Sequence, residues 1–248
     1  MKQNIYDDST FANEYDTMRK EKKGTNANDI IEIPNFRKMV PDVNGKSILD
    51  LGCGYGENDK YYKEKGATYV LGIDISKHMI DEANKENKVP GVDFDVLPME
   101  EISTLDRKFD IVISSLAFHY IKDFDKLVKD IYDLLNKDGY LIFSQEHPLI
   151  TCFNPVENMK KSHIEVDGKY YGVFSDYNRN GERKKDWFDK QVIKYHRSFA
   201  YIVNTLIKAG FTIEEISEPV PSEDGIKANP KYINQFDRPY FLIIRVRK

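Results

Sequence analysis

The chain has 248 residues, with 41 acidic side chains against 37 basic ones and a formal net charge of -4, enough length for one large domain or two small ones around a real core. That balance supplies no electrostatic footprint for a nucleic-acid backbone, and no apolar run approaches the roughly 20 residues needed to span a bilayer. Cys53 and Cys152 are the only cysteines and neither belongs to a CxxC pair, so both read as free thiols, with no zinc site and a reducing, cytoplasmic setting.

Residues 1–40 are mixed in character. Phe11, Tyr15 and Met18 recur at helical spacing and place three large groups on one face, with Arg19 next to them. Such a helix either closes over a site as a lid or packs on the core with Arg19 in solvent. Pro34 and Pro41 interrupt the stretch before the first strand. Ile48, Leu49 and Leu51 then form an apolar run of strand length, cut off by Gly52, Gly54 and Gly56, and the segment from Asn58 to Lys65 reads as a helix. Glycines in such a loop let a ligand approach the backbone. Their spacing is Gly-x-Gly-x-Gly, not the Gly-x-Gly-x-x-Gly of a dinucleotide site. Asp50, just ahead of them, is an anion that would repel pyrophosphate and suit a cation or an ammonium group.

The string "ILDLGCGYG" resembles motif I of the class I S-adenosylmethionine-dependent methyltransferases, whose glycine loop, here Gly52, Cys53, Gly54 and Gly56, wraps the amino-acid end of a cationic sulfonium cofactor. The resemblance implies an α/β fold, a Rossmann-like doubly wound sheet of seven strands with an antiparallel last strand. It also implies S-adenosyl-L-methionine as cofactor, and a Tyr or Arg of the N-terminal lid, here Tyr15 or Arg19, reaching the methionine carboxylate. The next buried strand, 67–74, ends in Asp74, placed across the crevice to accept both hydroxyls of a ribose. Ile75 offers an apolar face to adenine, and Ser76 caps a helix over 77–87 with Met79 close to the same pocket.

Val92 to Leu97 alternates as a third strand. Many relatives carry an aspartate for the adenine amino group after it; this chain has Pro98-Met99-Glu100-Glu101, so either the Met99 backbone with Glu100 nearby takes that place or Glu100 and Glu101 are first-turn residues favoured by a helix dipole. "FDIVISSLAFHYI" resembles motif IV of small-molecule members, where the strand end, here Ser115 and Leu116, flanks the sulfonium and the donated methyl. His119 in that string either takes a proton or packs beside the cofactor. The segment 122–136 shows a core-facing helical stripe, Asn136 to Gly139 turns, and a strand over 140–144 leads to Glu146 and His147 at the ligand-binding edge of the sheet, candidates for the acceptor pocket.

Residues 151–195 fit no element of that core. Asp167-Gly168 and Asn180-Gly181 are turn signals for hairpins, and Tyr170, Tyr171, Tyr177, Trp187 and Phe188 make the insertion an aromatic cap or a homodimer surface. Ser198 caps a helix through Ala209, preceded by Tyr195-His196-Arg197 facing the pocket, and strands over 211–216 and 240–246 complete the sheet.

The expected organisation is therefore a lid (1–40), a cofactor-binding core (41–150), an inserted cap (151–195) and a C-terminal completion (196–248). The expected activity is methyl transfer to O, N or S of a small-molecule acceptor, without a metal, with His119, Glu146, His147 or His196 as base if one is needed. The alternatives are a non-catalytic binder of the cofactor or its product, a tRNA or rRNA methyltransferase, and an NAD-dependent dehydrogenase.

Overall fold

The structure, a computed structural model, describes residues 4–156 and 162–248 without the side chain of residue 170, so the Tyr170 ring expected in the cap lies outside the described residues. A 3-10 turn (Ile5–Asp7) leads into α1 (Ser9–Glu21), a π-helical turn (Asn28–Glu32) and α2 (Ile33–Met39). Strands and helices then alternate as β1 (Ser47–Leu51), α3 (Glu57–Glu64), β2 (Tyr69–Asp74), α4 (Lys77–Glu86), β3 (Val92–Val96), β4 (Phe109–Ser114), α5 (Phe124–Leu134) and β5 (Leu135–Glu146). After α6 (Pro148–Thr151) come two hairpins, β6 (His163–Val166) with β7 (Lys169–Gly172) and β8 (Gly181–Trp187) with β9 (Lys190–His196). The chain closes with α7 (Phe199–Lys208), β10 (Thr212–Ser217), α8 (Glu223–Ala228) and β11 (Phe241–Arg247).

Seven strands form one sheet in the order β3-β2-β1-β4-β5-β11-β10. β1 pairs in parallel with both β2 and β4, whereas β11 runs antiparallel to β5 and to β10. This is the expected Rossmann-like doubly wound architecture. Alternate residues of the central strands face opposite layers: Leu49, Leu51 and Val112 pack with α5 and α7, while Ile48, Ile111 and Ile113 pack with α2 and α4. Both faces are thereby covered, as a parallel sheet requires.

Local chemistry fixes several element ends. Ser76 and Ser198 cap α4 and α7 by accepting from the Met79 and Tyr201 amides. The α5 stripe of Phe124, Leu127, Val128, Ile131 and Leu134 is buried throughout. The structure also departs from expectation. α5 stops at Leu134, and β5 starts at Leu135, running through Asp138 in a left-handed conformation. Asn180-Gly181 is not a hairpin turn: Gly181 begins β8, and the turn falls at Phe188 and Asp189, both with positive φ, because Asn180 instead accepts from the Ser198 amide. Pro34 does not end a helix but lies in the first turn of α2, where its missing N–H is tolerated.

Candidate active site

The carboxyl ends of β1, β2 and β4 surround a cavity at the point where the strand order reverses, the place where open α/β sheets bind ligands. Of the residues expected to hold the cofactor, Tyr15, Arg19, Asp50, Gly52, Cys53, Gly54, Asp74, Ile75, Met79, Met99, Glu100, Ser115 and Leu116 all line it. Gly54 stands at φ +56 with open space where a Cβ would be, so its backbone is bare to the cavity.

Gly56 is the exception. At φ +75 it precedes α3, a Cβ there would lie 2.3 Å from the Phe94 ring, and it does not line the cavity.

Asp74 accepts from the Gly54 amide at 3.1 Å and the Ser76 amide at 2.9 Å, which aims its carboxyl across the glycine loop. Burial raises it despite these donors. Met79, Leu97 and Met99 supply apolar wall near it. Asp50 differs from the expectation of a standing anion. It is buried with one oxygen unpartnered, and burial together with the neighbouring Asp59 carboxyl raises it well above the usual range.

Several residues that line this cavity carry no signal in the sequence, Glu32 foremost among them. Glu32, fully buried, reaches the cavity from the π-helical turn; one oxygen accepts from Ser115 Oγ at 2.9 Å and from Ser144 Oγ, and the other has no partner. Burial pushes its carboxyl up to about 7 against the pull of those serines. Tyr6, Asn28 and Tyr120 are also part of the lining. Leu116, at φ +55, is held in a left-handed turn by its amide donating to both the carbonyl and the hydroxyl of Ser144.

The N-terminal segment closes over this cavity. Asp7 accepts from Ser76 Oγ at 2.6 Å and from the His78 amide at 3.0 Å at the start of α4, and Asn4 donates to the Ile75 carbonyl. Behind it, Tyr6, Phe11, Tyr15, Trp187 and Phe188 interlock ring against ring, with centroids 5.2–6.5 Å apart, joining α1 to the tip of the β8–β9 hairpin. Lys190 at that tip ion-pairs with Asp8 at 3.0 Å. Arg19 pairs with Glu57 at 2.8 Å and lies within 3.8 Å of Asp29 rather than in open solvent.

A second cavity shares Tyr15, Arg19 and Asn28 with the first. Alternation along β9 turns Val192 and Lys194 inward over it, and Glu146 faces it from the end of β5. Lys194 Nζ lies 2.6 Å from Glu146 Oε1. Burial alone would raise Glu146, but the Lys194 ammonium, with His119 and Lys185, brings it down to about 2.

The histidines are placed differently. His119 lines neither cavity; its ring lies against Tyr120, its Nδ1 accepts from the Glu146 amide at 3.4 Å, and burial with the Lys194 ammonium lowers it to about 3. Such an imidazole is a weak base. His147 is also outside both cavities, capping α6 with Nδ1 and pairing through Nε2 with Glu218 at 2.8 Å. His196 sits between Thr151 Oγ1 and the Tyr177 carbonyl, and Arg197 donates to the Phe118 and Ile121 carbonyls; neither faces the site. No cluster of metal-ligating side chains occurs among the described residues.

The sequence model of the methyltransferase domain matches residues 49–143. An S-adenosylmethionine-dependent methyltransferase from Mesorhizobium loti superposes with a TM-score of 0.80 at 33% identity, covering 90% of this chain and 98% of the other. An uncharacterised Haemophilus influenzae protein is 36% identical across 98% of this chain and 96% of its own. The juvenile hormone acid O-methyltransferase of Bombyx mori is 32% identical over 149 residues, 57% of this chain and 53% of its own.

With the antiparallel β11 and a glycine loop facing an acid across the crevice, these likenesses define the class. The chain belongs to the class I S-adenosylmethionine-dependent methyltransferases, and its cofactor is S-adenosyl-L-methionine. The chain is an enzyme of that family, which sets aside the dehydrogenase and the non-catalytic binder.

Proposed function

We propose that the enzyme methylates a small molecule seated in the second cavity, and that this acceptor carries a carboxylate. The cofactor supplies a methyl group on a positively charged sulfur, an electrophile that needs only an aligned nucleophile. The chain's own residues do the rest. Asp74 takes the ribose hydroxyls, Ile75 and Met99 flank the base, Tyr15 and Arg19 hold the carboxylate end, and the closed N-terminal segment excludes water. Holding two reactants at attack distance in such an enclosure accounts for much of the acceleration an enzyme of this kind requires.

The observation that carries the reading is the shared wall: Tyr15 and Arg19 border both cavities, so an occupant of one lies next to an occupant of the other. The acceptor class follows from charge. Beyond the Lys194–Glu146 pair and Arg19, which is paired with Glu57, the second cavity is lined by Lys22, Lys185 and Arg238 against Asp186. A cationic enclosure selects an anion. Carboxylates are ionised at neutral pH and need no base to become nucleophilic, which agrees with a cavity whose wall contains no histidine among the described residues. The name of the silkworm relative, an O-methyltransferase of an acid, supports the same class.

Release of S-adenosylhomocysteine from matched chains ending in a carboxylate, an alcohol or an amine tests the proposal. The carboxylate series turns over, and its methyl product is cleaved to methanol by mild alkali. Turnover confined to alcohols or amines, or an alkali-stable product, contradicts it.

A further inference from the structure

Among the carboxylates around the first cavity, Glu32 is set apart by how it is held. The i→i−4 ladder cannot continue through Pro34, which has no N–H and whose ring crowds the carbonyl four residues earlier. The turn before it widens instead, and the Ile33 amide donates to the Asn28 carbonyl five residues back. Such π turns concentrate at functional sites. This one delivers Glu32 to the wall of the cavity with no exposed surface.

Both serine hydroxyls converge on a single oxygen. Ser115 and Ser144 donate to Oε1, while Oε2 meets no protein donor. Burying a carboxylate oxygen without a partner is costly, and the arrangement is understandable if a cationic donor arrives with the ligand. Asp50, the other acid at this end, also has an unpartnered oxygen but lies beside a second carboxyl, that of Asp59, which takes the space that Gly72 leaves by lacking a Cβ, 2.6 Å from where one would stand. The charged and titratable groups facing Glu32 are Arg37 on α2, Arg19 on α1, Asp50 on β1 and Tyr62 on α3. None of them reaches Oε2.

We propose that Glu32 Oε2 receives the α-ammonium of the bound cofactor, so that the π-helical turn reads the amino-acid tail and the serine pair ties that reading to the Ser115-Leu116 turn beside it. The inference rests on the cofactor occupying the first cavity. It assigns Glu32 as a binding and positioning residue and requires no proton transfer to the acceptor. Because the carboxyl is raised by burial, an arriving cation drives off a proton near neutral pH.

Calorimetric titration of the whole chain with S-adenosylhomocysteine and with its des-amino analogue, repeated in buffers of unlike ionisation enthalpy, tests this. Glu32→Gln keeps the shape and an acceptor for the serines. It is expected to weaken S-adenosylhomocysteine about tenfold to a hundredfold, the range for a hydrogen bond to a charged group, to leave the des-amino analogue unchanged, and to abolish the proton release seen with the natural chain. Equal weakening of both ligands assigns Glu32 a structural role through Ser144 and overturns the proposal, as does unchanged affinity for both. If the natural chain binds neither ligand, the placement of the cofactor itself is wrong, a result distinct from the other two.

Discussion

Lys194 and Glu146 form an ion pair of 2.6 Å between the cap hairpin and the end of the central sheet, with side chains only 8% and 19% exposed. An ion pair so enclosed contributes little net stability against an apolar pair, but breaking it is costly because one charge is left stranded. Lys194→Met should therefore destabilise the protein by about 3–5 kcal/mol, while Lys194→Met with Glu146→Gln should recover much of the loss. Denaturant melts of the two variants check this. Recovery without restored turnover marks the pair as part of the acceptor cavity.

Gly56→Ala separates packing from ligand contact in the glycine loop. Its Cβ would collide with Phe94 at 2.3 Å in a left-handed conformation, so the variant should lose roughly 2 kcal/mol or more of stability from strain and overpacking. Cofactor affinity of the fraction that folds should change little. Thermal melts beside calorimetry distinguish the two effects.

The N-terminal latch predicts a kinetic phenotype. Asp7→Ala removes the acceptor for Ser76 Oγ and the His78 amide, a loss of about 1 kcal/mol for a capping carboxylate. Release of S-adenosylhomocysteine should become faster in stopped-flow measurements, and proteolysis within residues 4–30 should increase. A release rate equal to that of the natural chain contradicts the lid.

His119 gives a pH signature. Its imidazole is lowered to about 3 in the folded chain, against 6.5 ordinarily, so the unfolded state binds the proton first as pH falls. The resulting stability is full above pH 6.5 and is lost progressively from there toward pH 3. His119→Asn should flatten the decline between pH 6 and 4 relative to the natural chain. The pH profile of kcat should show no inflection attributable to a histidine near 6.5.

Much of this architecture was readable because its signals are local. The capping serines Ser76 and Ser198, the α5 stripe and the apolar runs ending in Gly52 and Asp74 declare themselves within a few residues. Glu32 does not, since its partner Ser144 lies 112 positions away and its orientation depends on a π turn that no hydrophobic period announces. Asp50 reads as a free anion in the sequence because nothing in the spacing reveals the Asp59 carboxyl beside it. Lys194 had a signal, the inward alternation of Val192, Lys194 and His196 on β9. His119 and His147 read as imidazoles near a sheet edge, but burial and local caps decide what an imidazole does.

The most direct test of the account is titration of the natural chain and of Asp74→Ala with S-adenosylhomocysteine, with circular dichroism to verify the fold. Loss of charge-assisted bonds to two ribose hydroxyls should weaken binding by about tenfold to a hundredfold or more. Undiminished affinity in a folded Asp74→Ala chain would contradict the assignment of the first cavity.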